Sequence, residues 1–285
     1  MTAKTFDSLW RAARLVRCSV WVLLAGSQVA WSAITLVGSA SSVRANNSSA
    51  PLTIGYPAGI ADGDILVAQI AVRGNQTITA PAGWVLIHSS NGASHTQAVY
   101  WKRVVASSPP NDDWHITPGR AAGAIVAYRD VDAVAPVSVF SVSTTSGDVT
   151  ASSVTPTVSG TRLIGLFSLA SGNGTVFNSP AGMTERVNIN AGGGSNVGVA
   201  ILLADEAYAG GTAATGSRIA TGTAAAGIAH LVALQPNVIA NYRLDETVWT
   251  GASGQVVDSS GRSHHATAVN GASTGHAASD EAPRQ

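Results

Sequence analysis

Gly63-Asp-Ile-Leu-Val-Ala-Gln-Ile-Ala-Val72 and Gly160-Thr-Arg-Leu-Ile-Gly-Leu-Phe-Ser-Leu169 are the two stretches that decide the fold. Each copy begins at a turn glycine and continues as an apolar run. A polar loop and a second turn follow, Pro81-Ala-Gly-Trp84 in the first copy and Pro180-Ala-Gly-Met183 in the second. Because nearly the same pattern recurs about one hundred residues later, we predict one β-rich body built from two related halves.

Short runs rich in Val, Ile, Thr and aromatic residues alternate with Gly, Pro, Asn and Ser clusters between Leu52 and Leu234. This spacing predicts an all-β fold, an antiparallel, jelly-roll-like β-sandwich with an internal half-repeat. Asp64–Val72 has apolar residues at both odd and even positions, which face opposite sides of a strand. We therefore expect it in the middle of a sheet covered on both faces. Glycines interrupt Ala207–Ala226 and disfavour a helix there. The predicted strands are Leu52–Tyr56, Asp64–Val72, Trp84–His88, Thr96–Val105, Trp114–Thr117, Gly123–Arg129, Val137–Val142, Val149–Val158, Arg162–Leu169, Thr184–Ile189, Val197–Ala204, Arg218–Thr221 and Ile228–Leu234.

The first 32 residues have the order of a secretory signal peptide. A basic region precedes the short apolar run Cys18–Gly26, and Ala30-Trp-Ser32 offers small residues for cleavage after Ser32. An N-terminal helix of the mature protein is the alternative. The apolar run is shorter than the roughly 20 residues that a spanning helix needs. We therefore expect export to the periplasm, cell surface or medium, with no membrane span after cleavage.

The composition bears on partners and on disulfides. Only 11% of residues are charged and the formal net charge is zero, whereas nucleic-acid binding needs clustered Lys and Arg. We therefore expect no nucleic-acid partner. The single cysteine, Cys18, would leave with the leader. A body of about 250 residues buries enough surface to fold without a disulfide.

Pro236-Asn237 marks a change in the character of the sequence. We divide the chain into a signal peptide at 1–32, a polar linker or first strand at 33–50 and the β-sandwich at 51–236. A different segment follows at 237–271. The last residues, 272–285, are small and polar and predict a disordered tail.

The segment after the boundary contains a specific series of sequence motifs. It reads Tyr242-Arg-Leu-Asp-Glu246, then Trp249, then Val257-Asp-Ser-Ser-Gly261 and His264-His-Ala266. Residues 239–271 resemble the opening of a laminin-G or concanavalin A-like lectin domain. They cover about thirty residues of a fold that needs far more, so this resemblance implies an incomplete sandwich segment.

The larger body carries a second resemblance, through Gly63–Gly74, Pro81-Ala-Gly-Trp84, Gly123–Asp132 and His230–Pro236. Residues 34–236 resemble the module that precedes such lectin domains in the MshQ family of MSHA biogenesis proteins. Related sequence motifs occur in phage tail and other bacterial surface proteins. The resemblance implies an exported protein tied to a type IV pilus and to surface attachment.

Catalytic patterns are weak in this sequence. A glucanase of the concanavalin A-like type needs two carboxylates on one face, but the neighbours Asp245 and Glu246 point to opposite faces of a strand. No Gly-x-Ser-x-Gly elbow is present, and His88, His95, His115 and His230 have no mutual spacing that indicates a metal site. We therefore predict that the chain is not an enzyme, with a fragment of a secreted glucanase as the weaker alternative.

Candidate binding residues are few. Trp114, Tyr100 and Trp249 could stack on sugar rings, with core packing as the alternative for aromatic residues in apolar strands such as Trp84 and Trp101. Trp114 follows Asp112-Asp113 and is expected on an exposed loop. Asp258 is the best candidate for a metal ligand, with a turn that holds no metal as the alternative. We expect no cofactor unless this loop takes calcium, which the resemblance to laminin-G domains implies.

These observations predict a non-catalytic cell-surface or pilus-associated β-sandwich that acts in adhesion or surface assembly. The partners would be glycans or pilus and surface proteins. The alternative is a carbohydrate-binding, lectin-like module.

Overall fold

A computed structural model of the chain describes residues 28–48, 51–171, 177–192, 197–244, 248–259, 263 and 265–268. These residues form fifteen strands and no helix. No helix in the described part of the chain is therefore long and apolar enough to cross a membrane. In chain order the strands are β1 (Gln28–Trp31), β2 (Thr35–Ser48), β3 (Leu52–Gly55), β4 (Ile65–Arg73), β5 (Ile78–Thr79), β6 (Val85–Asn91), β7 (His95–Arg103), β8 (Asn111–Ile116), β9 (Gly119–Arg129), β10 (Val137–Ala151), β11 (Arg162–Ser171), β12 (Thr184–Ala191), β13 (Gly198–Ala207), β14 (Arg218–Leu234) and β15 (Val238–Tyr242).

Two five-stranded antiparallel sheets form the body, and each is built from one half of the chain. The first has the order β2-β9-β4-β7-β6 and the second the order β10-β14-β11-β13-β12. The repeated stretches become β4 and β11, the central strand of each sheet. The two orders match strand for strand, which confirms the predicted half-repeat and the antiparallel all-β fold.

The two sheets pack face to face over one shared apolar core. Val67 and Val126 project into it from the first sheet, and Ile164 and Ile201 from the second. Sheet-on-sheet packing of this kind buries one side of every central strand. Burial of each large aliphatic side chain stabilises the fold by about 1.5–3 kcal/mol.

The outer faces of both sheets are covered as well. A third sheet, β3-β8-β5, lies over the first sheet, and loop residues including Phe177 and Met183 pack on the second. Gly123 of β9 sits where the third sheet comes closest, since a Cβ there would lie 2.6 Å from Ile54 Cδ1. Eight of the nine residues of β4 are consequently buried, which confirms the expectation of cover on both faces.

Some strand boundaries differ from those predicted. Thr35–Ser48, in the segment expected to be a polar linker or first strand, is a strand of the first sheet and is preceded by β1. The runs predicted at Val137–Val142 and Val149–Val158 merge into β10, which ends at Ala151. Likewise β14 joins the two runs predicted at Arg218–Thr221 and Ile228–Leu234. Local turn residues such as Gly147 and Gly222 lie within these long strands because pairing with a neighbouring strand continues past them.

A strand near the start of the described residues and one near their end form a small separate sheet. β1 pairs antiparallel with β15, and isolated bridges join Tyr242 to Asp258 and Val256 to Ala266. β1 therefore lies within the segment that the sequence predicts to be a leader. Residues 1–27 of that leader and the predicted tail, 272–285, lie outside the described residues.

The pairing of β1 with β15 makes a prediction about leader removal. A chain that begins at Ala33 lacks β1, and β15 then loses its partner in a two-stranded sheet that is only marginally stable. In hydrogen exchange, amides of Val238–Tyr242 should lose protection by roughly tenfold or more relative to the chain from Met1. Amides of β14 are the internal control and should not change. Unchanged protection of β15 would contradict the pairing.

Candidate functional site

The side chains that could carry chemistry lie mostly between the sheets. Gln69, His95 and Gln97 project inward from the first sheet, and Ser168 and His230 from the second. All five are fully buried. We call this set the inter-sheet polar layer.

Two glutamine amides anchor the polar layer to backbone. Gln69 Nε2 donates to Phe167 O at 2.9 Å and to Gln97 Oε1 at 3.0 Å. Gln97 Nε2 donates to Leu166 O at 3.0 Å. Both carbonyls belong to β11, the central strand of the opposite sheet. The amides therefore tie the two halves together at one register, since a shifted sheet would leave buried donors without acceptors.

The histidine tautomer follows from the same contacts. Gln97 Nε2 also lies 2.7 Å from His230 Nδ1, and an amide nitrogen can only donate, so Nδ1 accepts. The proton of His230 is then on Nε2, which faces His88 Nδ1 at 3.3 Å. Ser90 Oγ lies 3.1 Å from that same His88 nitrogen. A chain of polar groups thus runs from the core to the half-buried His88.

Burial keeps the inner histidines uncharged. Desolvation, with a smaller effect of His88, lowers the pKa of His230 to about 3. Desolvation, with a smaller effect of Arg73, lowers the pKa of His95 to about 4. Both rings are therefore neutral at neutral pH, and for His230 this agrees with an Nδ1 that accepts a hydrogen bond from Gln97.

His95 and Ser168 form the nearest approach to a nucleophile and base. His95 Nε2 lies 2.9 Å from Ser168 Oγ. Both side chains are sealed between the sheets, and none of the hydrogen bonds described here brings a carboxylate to His95 Nδ1 to orient the ring. In this arrangement the pair bonds one sheet to the other and offers no oxygen to a substrate.

A second buried cluster fastens the third sheet to the first. Lys102 of β7 lies 2.9 Å from Asp112 of β8, and the Trp84 indole nitrogen donates to the same carboxylate at 2.7 Å. Tyr56 hydrogen-bonds Asp112 and stacks under the ammonium of Lys102. Desolvation, followed by the hydrogen bond and charge of Asp112, raises the pKa of Tyr56 well above its usual range.

A third cluster surrounds Asp205 of β13. Its carboxylate accepts hydrogen bonds from Arg162 at 2.9 Å, Arg186 at 2.9 Å and Tyr128 at 2.6 Å. Burial alone would raise the pKa of Asp205, but the two arginines and the tyrosine outweigh it and hold that pKa below its ordinary value. Since Tyr128 belongs to β9 of the other sheet, this cluster also crosses between the halves.

The predicted sugar-binding aromatics are placed differently from the sequence expectation. Trp114 is fully buried in β8 and Tyr100 is buried in β7, with each ring centred 5.0 Å from its neighbour in a Trp84–Trp114–Tyr100 stack. The expected exposed position of Trp114 is wrong, because Asn111–Ile116 is a strand whose alternate residues face the first sheet. Trp249 lies half-buried in a loop.

Asp258 is also buried, and its carboxylate accepts a hydrogen bond from the backbone N–H of Asn241 at 2.8 Å. No group of three or more potential metal ligands occurs among the described residues. Asp245 and Glu246, considered above as glucanase acids, lie outside the described residues.

One exposed feature of the described residues is a groove between the edges of the two sheets. Residues from β6, β7 and β10 line it and enclose about 380 Å³. Leu86 is 51% exposed and Phe140 is 38% exposed, and the His88 ring lies 5.7 Å from the Phe140 ring. We call it the β6–β10 groove. Its lining residues are Leu86, Ile87, Trp101, Val137, Ser138, Val139 and Phe140.

The equivalent seam on the other side of the sandwich is closed. There β2 and β9 face β12, and Arg44 donates to Asn190 O at 3.2 Å. Arg120 donates to Gly192 O beside it. The half-repeat relates these two seams, so the groove marks a place where the duplicated halves have diverged.

Sequence reasoning missed the polar layer. His88 and His230 lie 142 residues apart, and no local spacing joins them. The usable signal was Gln69 within an apolar strand and Ser168 near the equivalent position of the repeat. A polar residue on the inward face of a central strand must find a partner across the core.

The depressed histidine pKa values predict how stability depends on pH. In the unfolded chain these histidines bind protons near pH 6.5, whereas the folded chain binds them only near pH 4 and pH 3. The free energy of unfolding should therefore fall as the pH drops from about 6.5 towards 4. Urea denaturation across this range measures the slope. His95→Gln should reduce the slope and His115→Gln, at an exposed site, should not. A flat profile would contradict buried neutral histidines.

The Asp205 cluster makes a prediction about charge removal. Asp205→Asn leaves Arg162 and Arg186 without their carboxylate, so unfolding should become easier by about 3–5 kcal/mol. Asp113→Asn is the matched control, because Asp113 is exposed and accepts only a surface hydrogen bond from Thr53 among the contacts described. It should cost less than about 1 kcal/mol. Equal losses in urea denaturation would show that Asp205 does not hold the halves together.

No protein-family model matches the chain, and neither does any curated protein or solved structure.

Proposed function

We propose that this chain is an exported, non-catalytic module of a cell-surface or pilus-associated protein, and that it acts in adhesion or surface assembly. The proposal rests on a division within the structure. The reactive side chains are paired with one another inside the sandwich, whereas the largest exposed apolar side chain of β6, Leu86, lies beside an open groove.

The groove has the character of a contact surface for another macromolecule. Its walls are apolar or hydroxyl-bearing and carry no charged residue. Two sheet edges, β6 and β10, border it, and a sheet edge offers unpaired backbone groups to an incoming extended segment. Exposed apolar surface next to such an edge is typical of protein interaction sites.

The leader-like N-terminus and the MshQ-like sequence motifs support the proposal that the protein is exported. Residues 1–32 have the order of a signal peptide. Few residues of the chain are charged.

A lectin function is the second candidate and has less support. Two of its three proposed aromatic residues, Trp114 and Tyr100, face the core. Trp249 alone retains partial exposure, and one aromatic ring makes a small sugar platform.

The proposal predicts surface display and attachment through the groove. Bacteria that express the full chain with a C-terminal epitope tag should bind anti-tag antibody without lysis, and they should clump or adhere more than cells without the chain. Leu86→Lys puts a charge on the groove and should lower attachment by roughly tenfold, the effect of about 1.4 kcal/mol at the contact. Val105→Lys, at a 45% exposed valine outside the groove, is the matched control.

Two results would contradict this proposal. The tag could stay inaccessible in intact cells while the chain is present in lysates. Alternatively, Leu86→Lys and Val105→Lys could attach equally well, which would remove the groove from the contact surface.

A further inference from the structure

The four edge strands of the two large sheets differ in how they are protected against pairing. β2 carries a register shift after Val37 and an arginine, Arg44, that bonds to the opposite sheet. β6 has a bulge between Leu86 and His88. β12 has a bulge after Glu185. Bulges and charges of this kind make an edge less able to accept another strand.

β10 lacks these protections along its middle. Val139–Gly147 pairs with β14 for nine consecutive residues without a register shift, and the shifts lie only at its two ends. This stretch contains no charged residue and no proline. Phe140 and Val142 are 38% and 37% exposed. A long, regular, neutral and partly apolar edge is a template for a further strand.

Two openings lie along the same strand. One is the β6–β10 groove at Phe140. The other, of about 280 Å³, is lined by Thr144, Thr145 and Ser146 together with Asn91, Gly92, Ala93 and Gly227. A strand added beyond β10 would therefore continue the second sheet past both openings and cover exposed surface on the side of Leu86.

The sequence of β10 is compatible with pairing to itself. In an antiparallel pair centred on Val142, that valine faces its own counterpart, and Phe140 faces Thr144. Val139 faces Thr145, and Ser141 faces Ser143. Every such cross-strand pair is neutral. Asp148 is the only charged residue of β10, and it would face Pro136, so two like charges never meet.

We propose that β10 pairs antiparallel with β10 of a second copy of this chain, so that two five-stranded sheets join into one ten-stranded sheet. A two-fold axis through Val142 closes this contact after two copies, because an isologous interface uses the same strand on both sides. The inference rests on the proposed function in one respect. The proposed function makes the groove a contact surface for a macromolecule, and the inference identifies that macromolecule as a second copy of this chain.

Sedimentation velocity of the purified full chain tests the pairing at concentrations from about 1 to about 200 μM. The dimeric fraction should rise with concentration by mass action. The wild-type chain should shift from one copy to two. Val142→Lys places a charge beside its own counterpart and should weaken the association at least tenfold. Val134→Lys changes the same residue type at a 90% exposed site outside the strand and should associate like the wild type. Thermal melting shows that each variant is folded, and Thr144→Lys serves if Val142→Lys is not.

A chain that stays monomeric at every concentration overturns the proposal, and β10 is then left for a strand of another protein. Association of Val142→Lys equal to that of the wild type also overturns it, because the contact would lie elsewhere. Hydrogen exchange gives a second readout, since amides of Val139–Gly147 on the free edge should become protected as concentration rises. The two proposals can fail separately. A chain that stays monomeric in solution would contradict the dimer but not the role in adhesion, and failure of surface display would contradict that role but not the dimer.

Discussion

The hydrogen bonds from Gln69 and Gln97 to the carbonyls of Phe167 and Leu166 are the constraint on which the rest of the structure depends. Apolar packing between two sheets is tolerant of sliding, because most aliphatic contacts can be replaced by similar ones. A buried amide is not tolerant, since each donor that loses its acceptor costs about 1–3 kcal/mol. The polar layer therefore selects one register between the halves. His230 and Ser168 extend that selection along the core, and Asp205 with Tyr128 repeats it near one end.

The duplicated architecture explains where exposed surface remains. Both halves build a five-stranded sheet of the same strand order, and the two sheets face each other over one core. One lateral seam is closed by Arg44 and Arg120, whose guanidinium groups reach backbone carbonyls of the opposite half. At the other seam β6 has a bulge near its start, Val139–Gly147 of β10 stays in register with β14 and carries no charge, and an apolar groove lies between the two strands. A groove and a free edge thus arise together from one departure from the repeat.

The fold could be predicted from the sequence further than the site could. The apolar parity of Asp64–Val72 and its repeat at Arg162–Leu169 located both central strands, because burial on two faces leaves a local pattern. The position of Trp114 could not be found in this way, since its burial depends on the third sheet closing over β7 and β9. The contact of His88 with His230 depends on how two sheets stack, and stacking has no signature within ten residues of sequence. The length of β10 was underestimated for a related reason: its pairing with β14 carries the strand through Gly147.

Nitrogen-15 NMR of the histidine side chains, followed through a pH titration, tests the polar layer most directly. If His230 accepts from Gln97 and donates towards His88, its Nδ1 resonance belongs to an unprotonated nitrogen and its Nε2 resonance to a protonated one. Both should stay unchanged from pH 8 to about pH 4, because burial lowers the pKa of His230 to about 3. A His230 ring that exchanges between tautomers and titrates near its ordinary pKa of 6.5 would contradict the account. It would show that water reaches His230 and that the contact between Gln97 and His230 does not help to fix the register of the two halves.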